Sequence, residues 1–334
     1  MKKLICILLS VLMALSVLAF VGCEKKDENV KLGMGIYTTT KVTDATEDAE
    51  GKAQATSTVA AITVDAAGKV VSCALDTADH TVKFTADGKG IANDSFKTKY
   101  EQGKDYNMVA YGGAAKEWFE QADAFETVVC GKTLDEIKAL VAEGNKGSDE
   151  VVNAGCTIMI NEFVLAIEKA FANAVDSQAT TAHTVKIGVD TEQTVKDAAE
   201  DKNGSNEIVT TFFAAAVDAE GKITAATTDA VQVTFGFTSA GASTFDTTKA
   251  VQTKKEQGKN YGMSSYGTDL NGDGVVKEWN EQAAAFDAAC IGKTAGDLNG
   301  LLGSDSYHGN DDLQAAGCTM GVSPLVKAAA KIAK

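Results

Sequence analysis

Short runs of β-branched and small apolar residues, Val59–Val64 and Val70–Leu75, flank an Asp-Ala-x-Gly stretch at Asp65–Gly68. Brief runs of this kind around a turn signal predict strands joined by a tight hairpin. Further along, the period changes. Trp118, Ala122, Phe125 and Val129 fall at i, i+4, i+7 and i+11, which predicts an amphipathic helix. Thr133 with Glu136, and Thr294 with Asp297, have the spacing of N-terminal capping pairs. Asn161 is expected to cap a helix carrying Phe163, Val164, Ile167 and Phe171. Ser323 is expected to cap its counterpart, with Pro324 at the first helical position, where a missing N–H costs nothing.

The same pattern then runs a second time. Thr98-Lys99-Tyr100-Glu101-Gln102-Gly103-Lys104 returns as Thr253-Lys254-Lys255-Glu256-Gln257-Gly258-Lys259, and Lys116-Glu117-Trp118 as Lys277-Glu278-Trp279. Gly131-Lys132-Thr133 returns as Gly292-Lys293-Thr294, and Ala154-Gly155-Cys156-Thr157 as Ala316-Gly317-Cys318-Thr319. A conserved order at a spacing of about 155–162 residues marks a tandem duplication of a whole domain. The expected class is α+β: two homologous domains, each a small antiparallel sheet followed by packed helices. The expected boundaries are 31–175 and 185–334, with 176–184, small and polar, as the linker.

The start of the chain reads as an address. Met1-Lys2-Lys3, an apolar run to Val21, and Gly22-Cys23 followed by charge have the form of a lipoprotein signal over 1–22. Cys23 would be the lipidated residue, 23–30 a tether, and the outer face of the cell membrane the location. The remaining composition narrows the partners. The 31 basic residues are all Lys, and the net charge is −15, which repels phosphate backbones and excludes nucleic acid as a partner. The absence of Arg removes the guanidinium fork as a means of gripping phosphate. No Gly-x-Ser-x-Gly stretch or His-containing constellation supports a hydrolase.

In both copies an acidic pair, Asp149-Glu150 or Asp311-Asp312, precedes the small-residue turn that ends in Thr157 or Thr319. Gly155 and Gly317 permit the turn, and the Thr hydroxyl is expected near a helix entrance, where free N–H groups favour a phosphate. This stretch resembles the Asp…Ser/Thr-Gly-Ala-Thr signature of proteins modified by an FMN transferase. The order of motifs, from lipobox to paired Thr, resembles the bi-flavinylated extracellular electron-transfer lipoproteins of Gram-positive bacteria (PplA type). Cys156 and Cys318 stand where that signature usually has Ala. The resemblance implies one FMN joined by a phosphoester to each of Thr157 and Thr319, with Gly155, Cys156, Gly317 and Cys318 beside it. It further implies an electron carrier rather than an enzyme, fed by a membrane NADH dehydrogenase or quinone donor and discharging to extracellular acceptors. Tyr106, Met108, Tyr111 and Trp118, with Tyr261, Met263, Tyr266 and Trp279, are candidates to pack on the flavin ring, against core packing as the alternative.

Two further features remain. The second copy carries an insertion in which Asp269, Asn271, Asp273 and Gly274 occupy the first, third, fifth and sixth places of an EF-hand-like loop, a candidate Ca²⁺ site. Asn280 stands where a bidentate Glu is usual. The five cysteines after Cys23 include no Cys-x-x-Cys, and Cys290 aligns with Val129 rather than with Cys130, so buried free thiols are expected rather than equivalent disulfides. A non-redox binding or adhesion lipoprotein with a calcium-stabilised second domain stands as the alternative function.

Overall fold

A computed structural model describes residues 27–270, 272 and 274–333. The expected signal, Cys23, Asn271 and Asp273 lie outside the described residues. The first copy opens with three long antiparallel strands, β1 (Asn29–Thr43), β2 (Gly51–Val64) and β3 (Val70–Phe84), and a short β4 (Gly90–Ile91). Its principal helices are α1 (Lys99–Gln102), α2 (Trp118–Val129), α3 (Asp149–Ala154) and α4 (Asn161–Ala172). β5 (Val175–Thr180) then returns to the edge of the sheet, giving the order β4-β3-β2-β1-β5. The second copy repeats the plan with β6 (Thr184–Lys196), β7 (Gly204–Val217), β8 (Ile223–Phe237), α5 (Lys254–Gln257), α6 (Trp279–Cys290), α7 (Asp311–Ala315) and α8 (Ser323–Ala330). The mixed α+β class with antiparallel sheets is as expected.

The hairpin turn forms for a local reason. Gly68 takes a left-handed φ of 76°, and Asp65 Oδ1 accepts from the Ala67 and Lys69 N–H groups at 2.9 and 2.8 Å. Both faces of β2 are buried over Val59–Val64, so that stretch reads as a continuous apolar run instead of an alternation. One face packs under α2 and α4, where Trp118, Ala122, Phe125 and Val129 join Ile62 and Ile167 in the core. The other face meets the sheet of the second copy. Val30, Leu32, Met34 and Ile36 of β1 share that inner core with Ile208, Phe212, Ala214 and Phe235. The result is four layers, helices–sheet–sheet–helices, with a core of its own under each helical layer and a third core held in common.

The two halves meet about an approximate two-fold axis. Phe84 stacks on its own counterpart, Phe237, with ring centroids 4.8 Å apart and planes within 2°. Ala45 N–H donates to Gly241 O at 2.9 Å while the matching pair, Ala198 N–H to Gly88 O, closes at 2.8 Å. Lys169 pairs with Glu256 at 2.7 Å, and Lys331 with Glu101 at 3.0 Å. These contacts come in mirrored pairs, as in a self-complementary interface, although others, such as His80 Nε2 to Thr191 Oγ1 at 3.0 Å, occur on one side alone.

Three local expectations change. The 176–184 segment holds β5, paired with β1 at Asp176↔Lys31 and Val175↔Leu32, and the start of β6. The N-cap positions belong to Ile160 and Val322, so Asn161 and Ser323 are already helical, neither makes a side-chain cap bond, and Pro324 follows Ser323 inside the first turn. The capping pairs at Thr133–Glu136 and Thr294–Asp297 both form as expected, but the helix that Thr294 opens is 3-10.

Candidate functional site

The repeated Lys-Glu-Trp-x-Glu-Gln-Ala stretch builds the floor of the site, each residue for a different reason. Glu117 is the N-cap of α2 and accepts from the Met108 and Val109 N–H groups at 2.8 and 3.2 Å, so it pins the preceding turn to the helix. Trp118 and Ala122 enter the core. Glu120 accepts from Glu117 N–H at 2.9 Å, completing the capping box. Gln121, one turn in, is buried and points toward the Ala-Gly-Cys-Thr turn. Glu278, Trp279, Glu281 and Gln282 repeat the arrangement at the start of α6.

The tetrapeptide is the C-terminal stop of a short helix. Gly155 has φ 104°, its N–H donates to Val152 O at 3.0 Å, and Cys156 N–H donates to Val151 O at 3.1 Å, the double bond of a Schellman motif. Cys156 is fully buried against this helix end, and Gly317 and Cys318 repeat the motif after α7. Capping therefore explains Gly and Cys in both copies, and it leaves Thr unexplained. Burial pushes the Cys156 thiol up to about 11 and the Cys318 thiol up to about 12, so neither is a thiolate nucleophile at neutral pH.

Thr157 lies four residues before α4, outside the helix entrance. Its N–H and its hydroxyl both donate to Gln121 Oε1, at 2.8 and 3.0 Å, and its side chain is exposed. The Lys116 ammonium sits over Gly155, only 2.2 Å from where a Cβ would stand. Thr319 makes the same pair of bonds to Gln282 Oε1, at 2.8 and 3.4 Å, and Met320 N–H adds a third at 2.7 Å. Lys277 lies over Gly317 and donates to Ala316 O at 3.1 Å. Yet Thr319 is only 5% exposed. The two turns share a design but differ in access.

The ring-packing candidates divide. Trp118 and Trp279 are core residues, 3% exposed. Tyr106 and Tyr261 lie under the Lys99 and Lys254 ammonium groups, at 5.2 and 4.8 Å. Met108 and Met263 each receive the Gln121 or Gln282 amide at sulfur, at 3.3 and 3.4 Å. Tyr111 (89% exposed) and Tyr266 (61%) stand open to solvent. Gln121, Gln282, Lys116 and Lys277 complete the site although their chemistry was not read from the sequence; they sit inside the repeated motif, where a Gln flanked by core residues was the available signal.

The other candidates fall elsewhere. Asp269 accepts from Gly272 and Gly274 N–H groups at 2.8 and 2.9 Å, and among the described residues no cluster of three or more metal-binding side chains occurs. Cys73, Cys130, Cys156, Cys290 and Cys318 are free thiols, Cys130 being exposed and the rest buried. His308, close to Thr319 in sequence, also bridges the backbone of Gly321, and its Nδ1 lies 2.6 Å from Asp305 Oδ2. None of the described helices is long and apolar enough to cross a membrane. Comparison with family models, curated proteins and solved structures gives no match.

Proposed function

We propose that the chain is a surface-anchored carrier of two covalent FMN groups, at Thr157 and Thr319, that relays electrons from a membrane NADH dehydrogenase or quinone donor to extracellular acceptors. One observation supports this most: in both copies a Thr hydroxyl, which helix capping does not require, rests on a buried Gln carbonyl, with a Lys ammonium over the Gly two residues before it. The residues fit an attached phosphate. Gln121 Oε1 orients the Thr157 hydroxyl, and the adjacent ammonium supplies the positive charge that a phosphodiester needs in an Arg-free chain. The flavin would supply the redox chemistry, and the protein its placement and electrostatics. An FMN transferase is the implied partner, and the lipid on Cys23 would hold the carrier at the membrane.

The test is co-expression with an FMN transferase, followed by flavin absorbance and intact mass. Two adducts are expected at saturation, with Thr157 filling before the buried Thr319, and Thr157→Ala and Thr319→Ala each losing one. A colourless protein of unmodified mass, or adducts that survive both substitutions, overturns the reading.

A further inference from the structure

The approximate two-fold axis creates two equivalent clefts on the seam between the copies, and their chemistry has diverged. Each is walled by the third strand and long helix of one copy; the facing wall is Val185–Val189 of the first strand β6 in the cleft beside β3, and Val175–Gln178 of β5 with Leu32 of β1 in the cleft beside β8. In the cleft beside β8, Asp287 is fully engaged. Its carboxylate accepts from the Thr228 hydroxyl and from the Thr228 N–H at 3.1 Å, and Lys255 Nζ stands 3.7 Å away. Lys255 also donates to Thr227 Oγ1 at 2.8 Å, which fixes its ammonium in the cleft.

In the cleft beside β3 the same three places hold Glu126, Leu75 and Tyr100. The Leu75 N–H still donates to Glu126 Oε1, at 2.7 Å. The hydroxyl and the ammonium have gone: Leu75 has no donor on its side chain, and Tyr100 turns its hydroxyl to Asp123 at 3.1 Å. Glu126 Oε2 has no partner among the described residues and opens on a cavity of about 250 Å³. Asp76 and Glu101 also line this cavity, Asp76 held by the Thr77 and Tyr100 N–H groups. Of its two lysines, Lys331 is committed to Glu101 at 3.0 Å, and Lys186 stands on the β6 wall. Burial pushes the Glu126 carboxyl up to about 8 against the pull of the Leu75 N–H, the charges of Asp123 and Asp76 add to the rise, and no cation draws it back. An acid left in this condition destabilises the fold, whereas its counterpart is satisfied internally.

We propose that the cleft beside β3 is a binding site for a small primary alkylammonium. Its –NH₃⁺ group takes the place that Lys255 Nζ fills in the second copy and pairs with Glu126 Oε2. Its alkyl body lies against Leu75, Val185, Ile187 and Val189, which form the apolar part of the lining. The cleft beside β8 carries its own ammonium and binds no such ligand. This site is separate from Thr157 and Thr319 and does not depend on their modification.

The probe is n-butylammonium, titrated into the full chain by calorimetry at neutral pH and physiological ionic strength, with n-butanol as the neutral control. One saturable site is expected. Glu126 releases its carboxyl proton to solvent as the ammonium pairs with it, so Glu126→Gln, which keeps the shape and cannot ionise, should weaken binding about tenfold, the worth of a hydrogen bond to a charged group. Tyr100→Lys, which rebuilds the second copy's arrangement, should abolish binding and raise the melting temperature. No saturable binding, equal binding of n-butanol, or unchanged affinity in both folded variants overturns the proposal.

Discussion

Gln282 carries more backbone than its single side chain suggests. Its Oε1 accepts from Thr319 N–H, Met320 N–H and the Thr319 hydroxyl, and its Nε2 donates to Lys277 O at 2.8 Å. Gln282→Ala strips two N–H groups of their partner at residues only 5% and 8% exposed, where water does not readily substitute. Each orphaned buried group costs roughly 1–3 kcal/mol, so with the void left behind the loss is about 3–5 kcal/mol. Gln121→Ala leaves a similar void, since both glutamines are buried, but it removes only one N–H partner, at Thr157, which is exposed, so water replaces the bond and the loss is smaller by about 1–3 kcal/mol. Urea denaturation of the two variants, compared at constant slope, measures the difference directly. Equal losses, or a larger loss for Gln121→Ala, would refute the view that the Gln carbonyl is the principal anchor of the closed turn.

Two further outcomes follow from packing and charge. Glu126 holds its proton in the folded state up to about pH 8, whereas the unfolded chain releases it near 4.5, so stability falls as pH rises between those values. Glu126→Gln should flatten that fall by at most about 1.4 kcal/mol per pH unit, read from unfolding free energies between pH 6 and 8; parallel curves count against it. At Gly35 a Cβ would stand 2.2 Å from Ala166 O, and at Gly188 2.0 Å from Ala328 O, both on the helix that covers the strand. Gly35→Ala and Gly188→Ala should each cost about 1–3 kcal/mol, visible as a lower melting temperature; unchanged melting would show that the helices shift freely.

Much of each copy was legible because its signals are local. The stripe through Trp118 and Phe125, the Asp65 turn and the Thr133 cap depend on residues a few places apart. What failed depends on the partner. The Asp176–Thr180 segment is polar because only Ala179 of β5 is buried, and its strand character comes from pairing with β1. Ile160 and Val322 take the cap positions because the core claims those side chains, which overrides the preference for Asn161 or Ser323. Gln121 shows the same limit at the site. A polar residue on an amphipathic helix reads as solvent-facing, and only the fold reveals that it faces a backbone turn.

The stacked pair Phe84–Phe237 lies where a residue meets its own equivalent across the approximate axis. An isologous homodimer has that property, and here both halves of such an arrangement lie in one polypeptide. A single polypeptide is free of a constraint that a homodimer always carries, since a mutation in its one gene changes both protomers at once. Lys255 beside Asp287 and Tyr100 beside Glu126, like the closed Thr319 and the open Thr157, are specialisations that a symmetric pair of identical chains could not have acquired separately.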